Sequence, residues 1–178
     1  MELTGVILYG PPAAGKDTIT DCLALLDNRY CLYRRLKVGS GRTDRYEIAS
    51  HTALAGLRDT GELLYENEQY GSTYGISRTQ LTQLAATRFP VLHLGQPAGV
   101  DAVTSAGIGI TWLVVELWCR RPLAAARIEA RATGDAERRM HVYDQTEQLA
   151  NPHLRIDTGE TPPGTAAQQV DQARRSLT

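Results

Sequence analysis

Val6-Ile7-Leu8-Tyr9-Gly10-Pro11-Pro12-Ala13-Ala14-Gly15-Lys16-Asp17-Thr18 decides the reading of this chain. The first four residues are a short apolar run of strand formers closed by Gly-Pro-Pro, the pattern of a strand buried on both faces that ends in a loop. Beyond them Ile19, Cys22, Leu23 and Leu26 recur at helical spacing, which predicts a helix from about Gly15 to Leu26. Between strand and helix stand two glycines, Gly10 and Gly15, with four residues between them and Lys16 next, the spacing G-x-x-x-x-G-K. That spacing has a physical purpose. Backbone N–H groups and a helix N-terminus wrap a phosphate chain, the glycines let the backbone come close, and the lysine reaches the outer phosphates. A Gly-rich turn ahead of any helix can match the bare pattern, but here it follows the first strand of an alternating fold. Gly10, Pro12, Ala13, Ala14, Gly15, Lys16, Asp17 and Thr18 are therefore the candidate nucleotide contacts, with ATP and Mg²⁺ as the expected ligands.

Asp17 stands where most such loops place a Ser or Thr on the magnesium ion. Two readings are open: a carboxylate that ligates Mg²⁺ directly or through water, or a first-turn acid favoured by the helix dipole.

Working outward, buried-strand patterns fall at 30–36, 91–94, 111–118 and 154–157, and helical ones near 77–87, 97–105, 122–133, 136–149 and 165–177. Strands alternating with helices predict a three-layer α/β fold around a parallel five-stranded sheet. Residues 39–74 break the alternation. They are polar and Gly-rich, with short strands at 46–48 and 63–70 around a helix at 50–60 stopped by Gly61, and read as a small insertion of antiparallel strands and a helix. The expectation is a single domain over 1–178: a core of 1–38 and 75–178, an acceptor-binding insertion at 39–74, and a lid at about 131–140.

Composition agrees with that size. The chain has 178 residues, 42% of them hydrophobic, and a net charge of −1, enough for one real core and no basic field to collect nucleic acid. Three cysteines without Cys-x-x-Cys spacing disfavour a disulfide framework or a structural zinc. No stretch has the length to span a bilayer, and Met1-Glu2-Leu3-Thr4 opens without a positive segment ahead of an apolar run, so a cytoplasmic monomer or homodimer is expected. Of 19 basic residues only Lys16 and Lys37 are lysines. A GC-rich coding sequence explains the arginine bias, but one of the two lysines sits where a compact ammonium fits beside phosphates and a planar guanidinium fits poorly.

Gly10 to Thr18 resembles the phosphate loops of adenylate and guanylate kinases. Tyr70-Gly71-Ser72-Thr73-Tyr74-Gly75-Ile76-Ser77 resembles the Y-Y-G-T-S segment of guanylate kinases, preceded by Asp44-Arg45-Tyr46-Glu47-Ile48 and by Arg34 and Lys37. On these residues the chain is similar to nucleoside monophosphate kinases of the guanylate kinase-like branch. In that branch two basic residues three apart, a tyrosine nine residues later and the tyrosine of Y-G hold the acceptor phosphate. The resemblance places Arg34, Lys37, Tyr46 and Tyr74 in those roles. Two cations and two phenols suit a dianionic phosphate on chemical grounds as well.

The base-reading residues depart from the branch. Its carboxylate, hydroxyl and acid positions align with Tyr65, Ile76 and either Gly95 or Gln96, while Glu66 and Ser77 lie one residue off. Glu66 and Gln96 are therefore candidate acceptor contacts, and guanine is not expected. Gly15-Lys16-Asp17, Tyr74-Gly75-Ile76 and Val91-Leu92-His93-Leu94-Gly95 also resemble the ribose 1,5-bisphosphate phosphokinases, which implies a phosphorylated sugar or unusual nucleotide as acceptor. The third strand ends without the acid that often holds Mg²⁺ through water, and His93 or Gln96 stands there instead.

Arg127, Arg131, Arg138 and Arg139 surround Ala132-Thr133-Gly134-Asp135, a polar break between helical stretches. The pattern resembles the arginine-bearing lid of these kinases, and phosphoryl transfer needs such always-charged donors. Arg127, Arg131 and Arg138 join Lys16 as candidate catalytic residues. The other reading is a solvated basic face answering Glu129 and Glu137. Leu154-Arg155-Ile156-Asp157-Thr158 resembles the I-D-T segment beside the donor adenine, which brings Thr158 to the nucleotide, with simple helix entry as the alternative.

The expected activity is transfer of the γ-phosphate of ATP to a small phosphate-bearing acceptor. Two other functions stay open: a non-catalytic guanylate kinase-like binding domain, and a kinase for a phosphate-free metabolite with Asp17, Glu66 or His93 as general base.

Overall fold

In the computed structural model, which describes residues 3–177, the chain runs β1 (Leu3–Tyr9), α1 (Lys16–Leu26), β2 (Tyr30–Leu32), β3 (Leu36–Val38), β4 (Glu47–Ile48), α2 (His51–Asp59), β5 (Leu63–Gln69), β6 (Ser72–Ser77), α3 (Arg78–Ala85), β7 (Phe89–Leu94), α4 (Pro97–Thr104), β8 (Ile110–Trp118), α5 (Arg121–Ala130), α6 (Ala136–Gln145), β9 (Leu154–Asp157) and α7 (Pro163–Arg175). Five strands in the order β2-β7-β1-β8-β9 form a sheet parallel throughout. The α/β architecture with a parallel five-stranded sheet is the expected one.

β1 is buried on both faces because its side chains alternate between two cores. Val6 and Leu8 pack with Ile19 and Leu23 of α1 and Val170 of α7, while Ile7 and Tyr9 pack with Leu81, Leu92 and Val100 on the other side. The continuous apolar run is the imprint of that double burial. β1 also lies between β7 and β8, the point where strand order reverses, so the loop leaving its carboxyl end opens into the crevice where ligands bind in such sheets.

The stretch 30–36, read as one strand, is two. β2 pairs with β7 in the large sheet, whereas β3 belongs to a second sheet of order β4-β3-β6-β5. Tyr33 donates its backbone N–H to the Val91 carbonyl at 2.9 Å, and its buried hydroxyl accepts the Ser77 N–H at 2.9 Å, after which the chain crosses to the smaller sheet. An apolar run does not record which sheet it pairs with. Residues 72–77, read only as a motif, form a full strand that pairs antiparallel with β5 across the turn Tyr70-Gly71. Both turn residues have positive φ, 54° and 72°, the requirement of a two-residue type I′ hairpin turn. The small sheet is mixed, not antiparallel throughout, because β4 runs parallel to β3. It starts at Leu36 and ends at Ser77, wider on both sides than 39–74, and closes over its own small core of Leu36, Val38 and Leu54. The helix read to 149 ends at Gln145, and residues 146–153 instead tie back to the core: Tyr9 donates its hydroxyl to the Glu147 carbonyl at 2.6 Å, and the buried Glu116 carboxylate accepts from Leu149 N–H.

Candidate active site

The loop after β1 turns on two glycines. Gly10 has φ +150° and a Cβ there would lie 2.2 Å from the Leu117 carbonyl oxygen, while Gly15, at φ +93°, is the residue before the first turn of α1. Any other residue at Gly10 forces β1 and β8 apart. The first N–H groups of α1, from Lys16 to Thr18, have no carbonyl one turn back to bond, so they present donors and a positive dipole end at the loop. Lys16 folds over the loop and donates to the carbonyls of Gly10 at 2.5 Å and Pro11 at 2.8 Å. Burial lowers the Lys16 ammonium from 10.5 to about 8; Asp17 opposes the shift, while Arg35 and Arg131 add to it.

Around this loop lies a cleft, open at its mouth, whose walls come from three parts of the chain. The core contributes residues 12–17 of the loop with His93 and Gln96. The insertion contributes Arg35, Arg42, Arg45, Tyr46, Gln69 and Tyr70, and the α5–α6 region contributes Arg131, Arg139, Val142 and Thr146. Lys16 and five arginines line it, and Asp17 is the only acid among the lining residues. That excess of positive charge in a concave site is the electrostatic complement of a polyphosphate.

Asp17 is held by Arg42, whose Nη1 donates to Oδ2 at 2.9 Å. Burial raises the Asp17 carboxyl, yet the Arg42 hydrogen bond and the nearby positive charges outweigh it, and the net shift is downward. Arg45 makes a two-bonded pair with Asp21 one turn along α1, at 2.7 and 2.8 Å. The loop before β4 is thus pinned to α1 by two arginine–aspartate pairs. His93 is half-buried in the cleft wall, and burial followed by the Lys16 charge lowers its imidazole to about 3, so the ring is neutral at physiological pH.

The candidate residues from the sequence divide. Gly10, Pro12, Ala13, Ala14, Gly15, Lys16, Asp17, Tyr46 and Gln96 line the cleft together. Thr18 and Thr158 line an adjoining recess with Gly15, Arg127 and Arg131, so Arg131 borders both spaces. Arg34 does not line the cleft; it is exposed and donates to the Asp44 carbonyl at 2.7 Å, while its neighbour Arg35 takes the inward position. Lys37 is buried and spent on the carbonyls of Ser40 and Arg42, at 2.6 and 2.8 Å, where it props the loop that carries Arg42. Tyr74 is buried behind Tyr46, the rings 5.2 Å apart. Glu66 lies outside the cleft, paired with Arg58 at 2.8 Å, because on β5 the inward face carries its odd-numbered neighbours Asn67 and Gln69. Arg127 is a clamp and not a free lid arginine: it donates to the Ala13 carbonyl and to the hydroxyl and carbonyl of Thr158, at 3.1, 3.0 and 2.8 Å. Arg138 is exposed and outside the cleft, and Arg139 faces in, 5.2 Å from the Tyr70 ring and bonded to Asp135 at 2.7 Å.

Arg35, Arg42, Arg45, Gln69 and Tyr70 were not among the candidates. Tyr70 and Arg45 fall within quoted motifs, but nothing in the sequence marks Arg42 among many arginines.

No family model matches the sequence, and no curated protein matches it. Among solved structures the chain is similar to the guanylate kinase of Anaplasma phagocytophilum, with a TM-score of 0.63 and 12% identity over 99% of this chain and 87% of that one. It is also similar to the protein solved as APE1195, with a TM-score of 0.60 and 18% identity over 100% of this chain and 99% of that one. The class is therefore settled at the level of fold: a three-layer α/β domain with a parallel five-stranded sheet, built like a guanylate kinase.

Proposed function

We propose that the protein is an ATP-dependent phosphotransferase that moves the γ-phosphate of ATP to a small acceptor carrying a phosphate of its own. The observation that supports this best is the placement of Lys16 and the open N-terminus of α1 on the floor of a cleft with five arginines from its two walls. Phosphoryl transfer asks little covalent chemistry of a protein; it asks for position and for fixed positive charge where the transferred group spreads its own.

The residues present fit a nucleoside triphosphate. Gly10 and Gly15 let the backbone approach, Lys16 would exchange its two loop carbonyls for the outer phosphates, and Thr18, Thr158 and Arg131 border the recess for the rest of the nucleotide. A magnesium ion, when bound, neutralises phosphate charge and orients the γ-group, and Asp17 is the residue that would hold it. Arg35, Arg42 and Arg45 with Tyr46 would grip the acceptor phosphate from the insertion side, and Gln69 and Gln96, hydrogen-bonded to each other at 3.0 Å, would meet the remainder of the acceptor. Amides offer donors and acceptors without charge, which suits a neutral polar group. Arg131 and Arg139 close from the lid side. The acceptor's phosphate oxygen would then attack the γ-phosphorus in line, the bond from the γ-phosphorus to the bridging β,γ-oxygen breaking as ADP leaves, with no protein nucleophile needed.

A coupled assay for ADP release over nucleoside monophosphates, sugar phosphates and phosphate-free metabolites tests the reading. The expected result is turnover with one phosphorylated acceptor, lost in Lys16→Ala while the fold persists by circular dichroism. Turnover retained in Lys16→Ala, or activity confined to phosphate-free acceptors, sinks it.

A further inference from the structure

Thr20 lies one turn into α1 and His93 near the end of β7, and their hydrogen bonds fix more than position. Thr20 Oγ1 donates its single proton to the Lys16 carbonyl at 2.8 Å. The 2.7 Å contact between Thr20 Oγ1 and His93 Nε2 then has one available donor, the imidazole Nε2–H. A neutral ring with its proton on Nε2 carries a lone pair on Nδ1.

Nδ1 lies 3.7 Å from Asp17 Oδ1, beyond hydrogen-bond length. The other Asp17 oxygen is committed to Arg42. Each side chain is thus held at one atom by a protein partner, and the two atoms that face each other are electron-pair donors. Two such donors repel unless something electrophilic joins them, and a divalent cation about 2.1 Å from each would span the separation.

We propose that His93 Nδ1 and Asp17 Oδ1 together ligate the divalent cation that accompanies the nucleotide, making a mixed nitrogen–oxygen metal site. The inference rests on the reading of the loop as an ATP site. No group of three or more His, Cys, Asp or Glu side chains is placed to hold a metal among the described residues, so phosphate oxygens and water complete the shell. The cation therefore binds with the nucleotide and weakly without it. An imidazole donor carries a second consequence. Mg²⁺ is a hard ion that prefers oxygen, whereas Co²⁺, Ni²⁺ and Zn²⁺ accept imidazole readily, so this site discriminates less in favour of Mg²⁺ than an all-oxygen site does. Thr20 is the positioning residue, since its bond to Nε2 aims Nδ1 at the cation.

The test uses Co²⁺ with β,γ-imido-ATP on the full chain. Proton NMR of the complex should show one exchangeable, strongly shifted resonance from the His93 Nε2–H, absent in His93→Asp and in His93→Gln. Calorimetry should show the ratio of Co²⁺ to Mg²⁺ affinity, each measured with the analogue present, falling at least about tenfold in His93→Asp. Circular dichroism confirms that the variants are folded. Co²⁺ and analogue bound without the shifted resonance, or a ratio unchanged in folded His93→Asp, overturns the metal site and leaves the ATP reading standing. Failure of the analogue to bind with any metal overturns both.

Discussion

Lys16 shows how one residue carries both the fold's logic and its chemistry. Its ammonium satisfies two carbonyls of its own loop, and in exchange burial and the neighbouring arginines lower it to about 8. A bound phosphate chain stabilises the charged form and raises that value again, so binding takes up a proton above pH 8. The sign follows: on the proposed reading, affinity for ATP should be highest below about pH 8 and fall as pH rises through it, by up to about tenfold per pH unit. Calorimetry between pH 7 and 9.5 in buffers of different ionisation enthalpy should show both the fall and the proton uptake, and Lys16→Arg should remove both. Adjacent arginines give a sharper contrast. Arg35 lines the cleft and Arg34 faces solvent. Arg35→Ala should weaken binding of the phosphorylated acceptor by about tenfold to a hundredfold, the worth of a charge-assisted hydrogen bond, while Arg34→Ala stays within about twofold. Equal effects in the two would show that the insertion sits differently on the core.

At the scale of elements, the legible parts were those whose pattern has one structural solution. A doubly buried strand followed by two spaced glycines and an amphipathic helix leaves little choice, and β1, α1, β7, β8 and β9 appear where the apolar runs put them. The break of 30–36 into two strands was hidden because Tyr33 continues the strand-forming run Tyr30-Cys31-Leu32 with no turn residue to mark an end, and it turns inward through its hydroxyl. The same break left Arg34 facing solvent and put Arg35 in the cleft wall, since a change of sheet resets which side of the backbone faces the cleft. Lys37, reasonable as an acceptor contact on spacing, became a prop once β3 buried it. The docking of the insertion was not legible at all, because Arg42–Asp17 and Arg45–Asp21 join residues 25 and 24 positions apart through side chains that are only partly buried. Such pairs contribute little to global stability, on the order of 1 kcal/mol or less each. Their role is to hold one element against another. Asp21→Ala should therefore leave the melting temperature nearly unchanged while amide exchange in residues 39–46 accelerates, and a large drop in melting temperature would assign the pair a different role.

For the molecule as a whole, the cleft is a meeting place of three segments of the chain. The large sheet supplies the floor, residues 36–77 one wall around their own small core, and the α5–α6 region the other, and Arg139 over Tyr70 at 5.2 Å is where the two walls meet. Like charges on all three parts repel until an anion lies between them. A ligand that is only a chain of phosphates should therefore draw the three together without any base or sugar. Tripolyphosphate at a hundred times its dissociation constant should stabilise the protein by about 2.7 kcal/mol. For a chain of this length that corresponds to a rise of roughly 5–11 °C in melting temperature. The rise should shrink with added salt, because the attraction is between charges at a partly open site. It should vanish in Lys16→Ala and fall in Arg42→Ala and Arg139→Ala, which come from the floor and the two walls, and survive in Arg34→Ala and Arg138→Ala. Stabilisation that depends on Lys16 alone would mean that phosphate binds the loop without engaging the walls, and that closure needs the acceptor.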